Sequence, residues 1–273
     1  MAQGDNEHRM LFDLRGKRRN VVKVVYATLA VLMGLSLFLV IGGFNIAELF
    51  QSDNTAGEAA EQFEEQQERI EAKLVKDPEN PNLLVALTRA QINTGNSLVS
   101  VEDNGQQVMT VGAIQEFRKA SDTWTKYLEA TDEPSASLAL LVAPTIFRLA
   151  ETSRSLQEAR NTVTEAAEVQ KLVTKLQPSL NSYSTLAYYT YFTGDFKAAE
   201  AAEEKAKSFT KTKAEAESVE KQLEEVRQRS REFDKEVKQA EQQAKAAGGA
   251  GGAPEQLEPG QNPLGGGLSG LGE

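Results

Sequence analysis

The amino-acid sequence predicts an all-α protein made of one transmembrane helix and an array of helical hairpins. Val24–Phe44 (VVYATLAVLMGLSLFLVIGGF) is a run of 21 residues without a charged side chain. Beyond residue 55, apolar side chains recur at helical spacing in successive blocks, and glycine or proline closes most of these blocks. Helical periodicity that is interrupted in this way is typical of stacked helical hairpins.

The uncharged run Val24–Phe44 has the length of a membrane span. At ~1.5 Å rise per residue it reaches about 30 Å as a helix, which is the thickness of the hydrocarbon core of a bilayer. A buried helix of a soluble domain is the alternative, and such a helix normally shows a polar face. Here Thr28 and Ser36 carry the only aliphatic hydroxyl groups. We therefore expect the chain to contact a lipid bilayer through Val24–Phe44.

The charges on the two sides of this run predict its orientation. Six basic and three acidic residues precede it, and no basic residue follows it until Arg69. Because basic flanks stay in the cytoplasm, we expect a basic cytoplasmic arm (1–20), an anchor in the inner or plasma membrane (21–46), a linker (47–55) and an extracytoplasmic remainder. A cleaved signal peptide is the alternative, but the run exceeds the usual ~7–15 residues and Gly42–Ala47 lacks a small-x-small cleavage site.

The composition argues against several classes of site. The chain has no cysteine, which removes disulfides, thiolate metal sites and a lipoprotein anchor. His8, the only histidine, precedes the span, so the outer region lacks an imidazole for catalysis or zinc. Of 30 Lys+Arg and 40 Asp+Glu, six and three precede residue 45, and the remaining 24 and 37 give a net charge of −13. We expect no catalytic, metal-binding or cofactor-binding residues, and no nucleic-acid partner.

The blocks after the linker predict a helical domain over residues 56–208. A first helix with a narrow apolar stripe (56–76) stops at Asp77-Pro78. Three helix pairs follow, at 82–94 with 113–130, at 135–151 with 155–176, and at 180–193 with 195–208. Gly95 and Gly194 are expected to end the first helices of the first and third pairs. Pro144 is expected to kink the first helix of the second pair.

The third pair resembles the tetratricopeptide repeat. The repeat pattern of this family has, in order, aromatic, Leu, small, Gly, aromatic, small and small residues. At the same spacings this chain has Tyr183, Leu186, Ala187, Gly194, Phe196, Ala199 and Ala206. Small residues at such offsets let two helices approach closely. Glu203 stands where a large apolar residue is expected, and Thr190 replaces an aromatic residue. The first pair is similar to the third, the middle pair matches least, and an irregular helical bundle is the alternative.

A segment inserted between the helices of the first pair predicts a small β-hairpin at 98–111. Two β-prone runs, Leu98–Val101 and Val108–Val111, flank Asn104-Gly105. This dipeptide favours the type I′ turn of a hairpin, which would pair Val101 with Val108. Since an isolated hairpin is marginal unless it packs against something, an unstructured loop is the alternative.

The C-terminal part is predicted to contain one long helix and a disordered tail. Between Phe209 and Ala247, apolar and small side chains alternate spacings of three and four, which is a heptad seam. This helix (209–247) either caps the last repeat or forms a coiled-coil arm for self-association. The Gly- and Pro-rich tail (248–273) has too little apolar content to fold by itself.

The resemblance also implies a surface for partners. Tetratricopeptide arrays line a concave groove with the first helix of each repeat, and peptides or partner segments bind there. The matching positions in this chain include Asn82, Arg89, Arg148, Asn181, Tyr188 and Tyr191. The arginines are expected to grip a carboxylate and the tyrosines to act as aromatic anchors. Packing under the C-terminal helix is the alternative for the tyrosines.

These observations together predict a scaffold or adaptor that binds a protein or peptide partner outside the cytoplasm, in secretion or envelope protein assembly. The layout resembles that of membrane-anchored, single-pass tetratricopeptide proteins of bacterial envelopes. One alternative is a structural envelope protein that assembles as a homo-oligomer through its heptad helix. A cell-wall enzyme is the other, and it would depend on a carboxylate whose loss abolishes an activity.

Overall fold

The computed structural model describes residues 56–101, 107–246 and 262–264. All of them belong to the unit Thr55–Glu273. The predicted cytoplasmic arm, the anchor Val24–Phe44 and the linker lie outside the described residues. Within the described ranges, no helix is both long enough and apolar enough to cross a membrane.

Helices make up about four fifths of the described residues, which confirms the all-α prediction. Their bounds are α1 (Ala56–Leu74), α2 (Pro81–Ser97), α3 (Val111–Glu129), α4 (Ala136–Ala150), α5 (Leu156–Leu176), α6 (Leu180–Thr193), α7 (Phe196–Lys207) and α8 (Lys213–Ala246), with strands β1 (Ser100–Val101) and β2 (Gln107–Val108) between α2 and α3. Each helix that the sequence predicts beyond residue 55 is therefore present.

The helices pack as consecutive hairpins. The closest pairs are α2 with α3, α4 with α5, and α6 with α7, while α1 lies on α2. Successive hairpins meet because α5 packs on α6 and α3 on α4. The long helix α8 contacts mainly α6 and also touches α5 and α7. The chain therefore folds back over its last hairpin.

Side-chain caps explain where most helices begin. A polar side chain accepts a hydrogen bond from a backbone N–H of the first turn at Asn80, Thr110, Ser135, Ser155, Ser179 and Asp195. Each cap pairs a donor that the helix itself leaves free. Gly194 ends α6 with φ of 88°, as the sequence predicts, because this left-handed backbone disfavours other residues.

Gly95, which was expected to end a helix, lies inside one, whereas Pro144 lies inside its helix as expected. Helix α2 continues through Gly95 to Ser97, and α4 continues through Pro144. A Cβ atom added at Gly95 would lie 2.6 Å from Cδ1 of Phe117 on α3. Gly95 therefore allows α3 to approach α2 closely and does not end the helix, which corrects the sequence prediction.

The predicted β-hairpin is present with a register that differs by one residue. Ser100 pairs with Val108, and Val101 pairs with Gln107 and not with Val108. Leu98 and Met109, on either side of the two strands, pack against the buried cluster around Phe117. The base of the hairpin is therefore attached to the helical core.

The main core runs from α2 to α8 without interruption. Its largest fully buried side chains include Trp124, Phe147 and Tyr189. The heptad seam of α8 joins this core through Val219, Leu223, Val226, Phe233 and Val237. The three alanines of the repeat pattern on α6 and α7 are fully buried as well, as expected where two helices approach closely.

Candidate partner-binding surface

The exposed face of α2 carries two of the predicted groove residues. Asn82 and Arg89 are both exposed, and seven residues, or two helical turns, separate them on one face. The guanidinium Nη2 of Arg89 donates a hydrogen bond of 2.9 Å to Oγ of Ser137, just inside α4. Since a guanidinium has five N–H donors, Arg89 keeps donors for a further acceptor.

The second arginine links the other ends of the same two helices. Nη1 of Arg148 donates to Oδ1 of Asn96 over 3.2 Å, and its guanidinium lies 5.2 Å from the centre of the Phe117 ring. Burial lowers the pKa of Arg148, and the nearby Glu151 carboxylate opposes this shift. Arg89 and Arg148 therefore both bridge α2 and α4, at different points along the pair.

An apolar patch accompanies this pair of helices. Leu140 and Leu141 on α4 are 41% and 43% exposed. Leu141 lies one turn after Ser137, and hence on the same face as the contact with Arg89. Thr145, a further turn along, is buried, and its hydroxyl donates to the backbone oxygen of Leu141 at 2.7 Å. We call the exposed side chains of Asn82, Arg89, Leu140 and Leu141 the α2–α4 face.

The predicted groove residues of α6 have different environments. Asn181 at the start of the helix is exposed. Tyr188 is only 3% exposed and Tyr191 is fully buried. Tyr188 lies among aromatic rings, 5.2 Å from Phe147 and 5.6 Å from Phe192 between ring centres. The two tyrosines therefore lie in the core of the described chain, and a role as partner anchors would require them to be uncovered first.

Burial also determines the ionisation of these tyrosines. It raises the pKa of each phenol to about 12. The Tyr191 hydroxyl donates to Oε2 of Glu203 at 2.7 Å and accepts from Nε of Arg227 at 3.2 Å. Both hydroxyl groups therefore stay protonated to a higher pH than an exposed tyrosine would.

Helix α8 covers the tyrosines through polar contacts as well as its apolar seam. Arg227 on α8 reaches Glu203 of α7, and Asp234 on α8 binds Arg160 of α5 over 2.7 Å. Lys238 pairs with the second oxygen of Asp234, also at 2.7 Å. The apolar seam of α8 thus packs against the core of its own chain. A coiled coil through the same residues would require α8 to leave the domain.

Sequence reasoning missed the role of Glu203, which it treated only as a break in the apolar pattern. The carboxylate is buried and is bonded to side chains from three helices. Part of this arrangement is readable from sequence, since Lys207 follows Glu203 at the i,i+4 spacing of helical ion pairs. Arg227 lies 24 positions away, and only the tertiary structure brings it near.

The tail also departs from its prediction at residues 262–264. Leu264 is buried, although the whole segment 248–273 was expected to be disordered.

Across the residues that the structure describes, no group of His, Cys, Asp and Glu side chains could hold a metal ion. Comparison of the chain with protein-family models, with curated proteins and with solved structures finds no match. The resemblance to the tetratricopeptide repeat therefore rests on the residues named above.

Proposed function

We propose that the protein is a membrane-anchored scaffold that holds a protein or peptide partner outside the cytoplasm, on the α2–α4 face. The uncharged run Val24–Phe44 with its basic N-terminal flank supports the anchor and the orientation. The consecutive helical hairpins and the repeat pattern on α6 and α7 support a tetratricopeptide-like array, whose first helices line the partner groove.

The combination of charge and apolar surface on the α2–α4 face carries the proposal. Arg89 is exposed and hydrogen-bonded through one nitrogen, so it is held in place while other donors remain available. Leu140 and Leu141 add exposed apolar area next to it. Arginine beside adjoining apolar side chains suits a peptide segment with a carboxylate and an apolar residue.

In-cell crosslinking tests this proposal. A photoreactive residue placed at Asn82, which leaves Arg89 intact, should yield a discrete adduct with one partner, and the same residue at Asp122, an exposed position on α3, serves as the control. Tyr188 is a poor probe position because a new side chain there would disturb the core. Equal adducts from both positions, or no adduct from Asn82, would contradict the proposal.

A further inference from the structure

One end of the third hairpin is positively charged, although the region beyond the uncharged run has a negative net charge. Helices α5 and α7 end there, and α6 and α8 begin there, because only short connections join these helices. Residues 169–194 and 205–214, which include these connections, contain lysines and no Asp or Glu. By contrast, the connections α1–α2 and α3–α4 each contain two acidic residues. We use the name basic end for the exposed side chains of Lys175, Leu176, Lys205, Phe209 and Lys211.

The basic end also presents apolar side chains. Phe209, in the connection between α7 and α8, is 37% exposed, and its ring stacks on Tyr183 with 5.6 Å between the ring centres. Nζ of Lys205 lies 5.7 Å from the centre of the same ring. Leu176, at the end of α5, is 41% exposed. The structure therefore holds an exposed aromatic ring in place directly beside a positive charge.

Contacts within the chain do not account for all of this charge. Lys175, Lys205 and Lys211 form no ion pair with any residue in the described ranges, whereas Lys207 contacts three glutamates of its own chain. Lysines near the ends of α5 and α7 complement the helix dipoles. Lys211 precedes the start of α8, where a positive charge is unfavourable. A role in stabilising the helix ends therefore explains neither Lys211 nor the exposed apolar side chains.

A surface of complementary charge lies on α1. We use the name acidic stripe for the exposed glutamates that recur along one side of this helix at spacings of three and four, which are Glu61, Glu64, Glu65, Glu68 and Glu71. Of these, Glu65 pairs with Arg69, and the others form no ion pair among the described residues. Helix α1 packs on α2, whereas the basic end belongs to the helices α5 to α8. The two surfaces thus belong to the first and last parts of the hairpin array.

We propose that the basic end of one chain binds the acidic stripe of α1 on a second copy of the chain. The lysines pair with the glutamate carboxylates, and Phe209 and Leu176 become less exposed in the contact. Because the two surfaces differ, the contact is heterologous and continues from copy to copy in a row. Exposed ion pairs are individually weak and are screened by salt, so the association is weak and salt-dependent. It uses neither the α2–α4 face nor the seam of α8.

Zero-length crosslinking tests the contact in the unaltered full-length chain in a non-ionic detergent. Chains with ordinary and with heavy nitrogen are mixed at hundreds of micromolar, and a carbodiimide joins ammonium groups to carboxyl groups in direct contact. Mass spectrometry should identify links of mixed isotope between Lys205 or Lys211 and the glutamates of α1. Raising the salt from about 0.05 M to about 0.5 M should reduce these links at least about fivefold. Links within single chains only, or mixed links that avoid both surfaces, would overturn the proposal.

Charge exchange then tests the pairing by sedimentation at low salt. The basic-end variant carries Lys175→Glu, Lys205→Glu and Lys211→Glu. The stripe variant carries Glu61→Lys, Glu64→Lys and Glu68→Lys. The control variant changes three exposed lysines elsewhere, Lys126→Glu, Lys197→Glu and Lys235→Glu. Each of the first two variants should self-associate at least about tenfold more weakly than the unaltered chain and the control variant. Circular dichroism checks that every variant is folded.

Mixing the basic-end variant with the stripe variant should restore association, because the reversed charges of each are complementary to the other. A mixture that stays monomeric would overturn the proposal. So would association that neither variant weakens, which would assign it to another surface such as the seam of α8. Phosphatidylglycerol added to the micelles tests a lipid occupant. Lipid binding that depends on the three lysines, without self-association of the chain, would assign the basic end to an anionic membrane surface and would also overturn the proposal.

Discussion

Arg227 on α8 donates a hydrogen bond of 2.9 Å to Oε2 of Glu203 on α7. The same oxygen accepts a hydrogen bond of 2.7 Å from the Tyr191 hydroxyl on α6, and Lys207 lies 2.9 Å from the other oxygen. The Glu203 side chain is only 3% exposed, so these donors replace water around it. One carboxylate therefore connects the last hairpin to the helix that covers it.

Removing Glu203 alone should destabilise the domain more than exchanging the whole pair for apolar residues. Glu203→Leu leaves the Tyr191 hydroxyl without its acceptor and removes one of the acceptors of Arg227, and we expect a loss of about 2–4 kcal/mol in the free energy of unfolding. In the double variant Glu203→Leu/Arg227→Met, we expect a loss smaller than that of Glu203→Leu alone, and hence smaller than the sum of the single losses by about 1 kcal/mol or more.

Urea denaturation of the two single variants and the double variant measures the coupling free energy between Glu203 and Arg227. The exposed pair Arg69 and Glu65 is the matched control, since its coupling should stay near 0.5 kcal/mol or less, about the size of other exposed helical pairs. Strictly additive losses at Glu203 and Arg227 would show that the bond between them does not contribute to stability.

Two buried carboxylates should make the stability depend on pH. Burial raises the pKa of Glu203 and of Asp234, but hydrogen bonds, from Tyr191 to the first and from Lys238 to the second among others, outweigh it and lower both pKa values. The unfolded chain then binds more protons than the folded one. The two carboxylates therefore contribute to the free energy of unfolding. Their contribution is complete above the unfolded-state pKa values of about 3.9–4.3 and is lost as the pH falls through the lower folded-state pKa values.

The corresponding test is a pH series of urea denaturation on Asp234→Asn. This variant should start less stable at neutral pH and lose less stability than the unaltered chain between about pH 5 and pH 3. Asp122→Asn is the control for an exposed carboxyl group. Parallel pH curves for Asp234→Asn and the unaltered chain would contradict the assignment.

Gly95→Ala should destabilise the contact between α2 and α3, although alanine favours helices. The new methyl group would meet the Phe117 ring, and we expect a loss of about 1–3 kcal/mol from overpacking. Gly112→Ala is the matched control, because its nearest neighbour is the end of the Leu98 side chain at 3.2 Å. Thermal unfolding compares the two variants, and Phe117→Leu should partly rescue Gly95→Ala. A stabilising Gly95→Ala would show that the two helices can separate without cost.

Phe233→Ala distinguishes a capping role of α8 from a coiled-coil role. The ring is buried, 5.9 Å from Phe192 between centres, with the Arg160 guanidinium 5.7 Å from its own centre. Its loss should cost about 3–5 kcal/mol and increase hydrogen exchange in both α8 and α6. Glu232→Ala, at an exposed neighbouring position, should change neither. Unchanged unfolding with reduced self-association in sedimentation would instead favour the coiled-coil alternative.

Local chemistry made the helix pattern predictable. Ser179 before α6 and Gly194 after it are readable signals because caps act within one turn of the chain. The same rules did not explain Gly95, whose role depends on the Phe117 ring 22 positions away. They also predicted a β-hairpin register that differs by one residue from the observed one. For Gly95, close packing between two helices outweighs the local preference of glycine for a helix end.

The candidate surface was predictable only in part. Asn82, Arg89 and Asn181 are exposed at the positions that the repeat pattern implies. Tyr188 and Tyr191 share that pattern, yet they are buried because α8 lies over α6. Sequence spacing identifies which side of a helix a residue occupies, and it does not specify what covers that side.

The sequence by itself determined the helical class, the order of the hairpins and most helix ends, because periodicity and capping depend on residues a few positions apart. It also determined the uncharged run Val24–Phe44 and the acidic charge of everything after it. Only the tertiary structure decided that α8 closes over the tyrosines, that a buried Glu203 is paired with Arg227, and that Leu264 is buried in the main core. Each of these contacts joins distant parts of the chain, and its free energy arises from burial and pairing that no local pattern encodes.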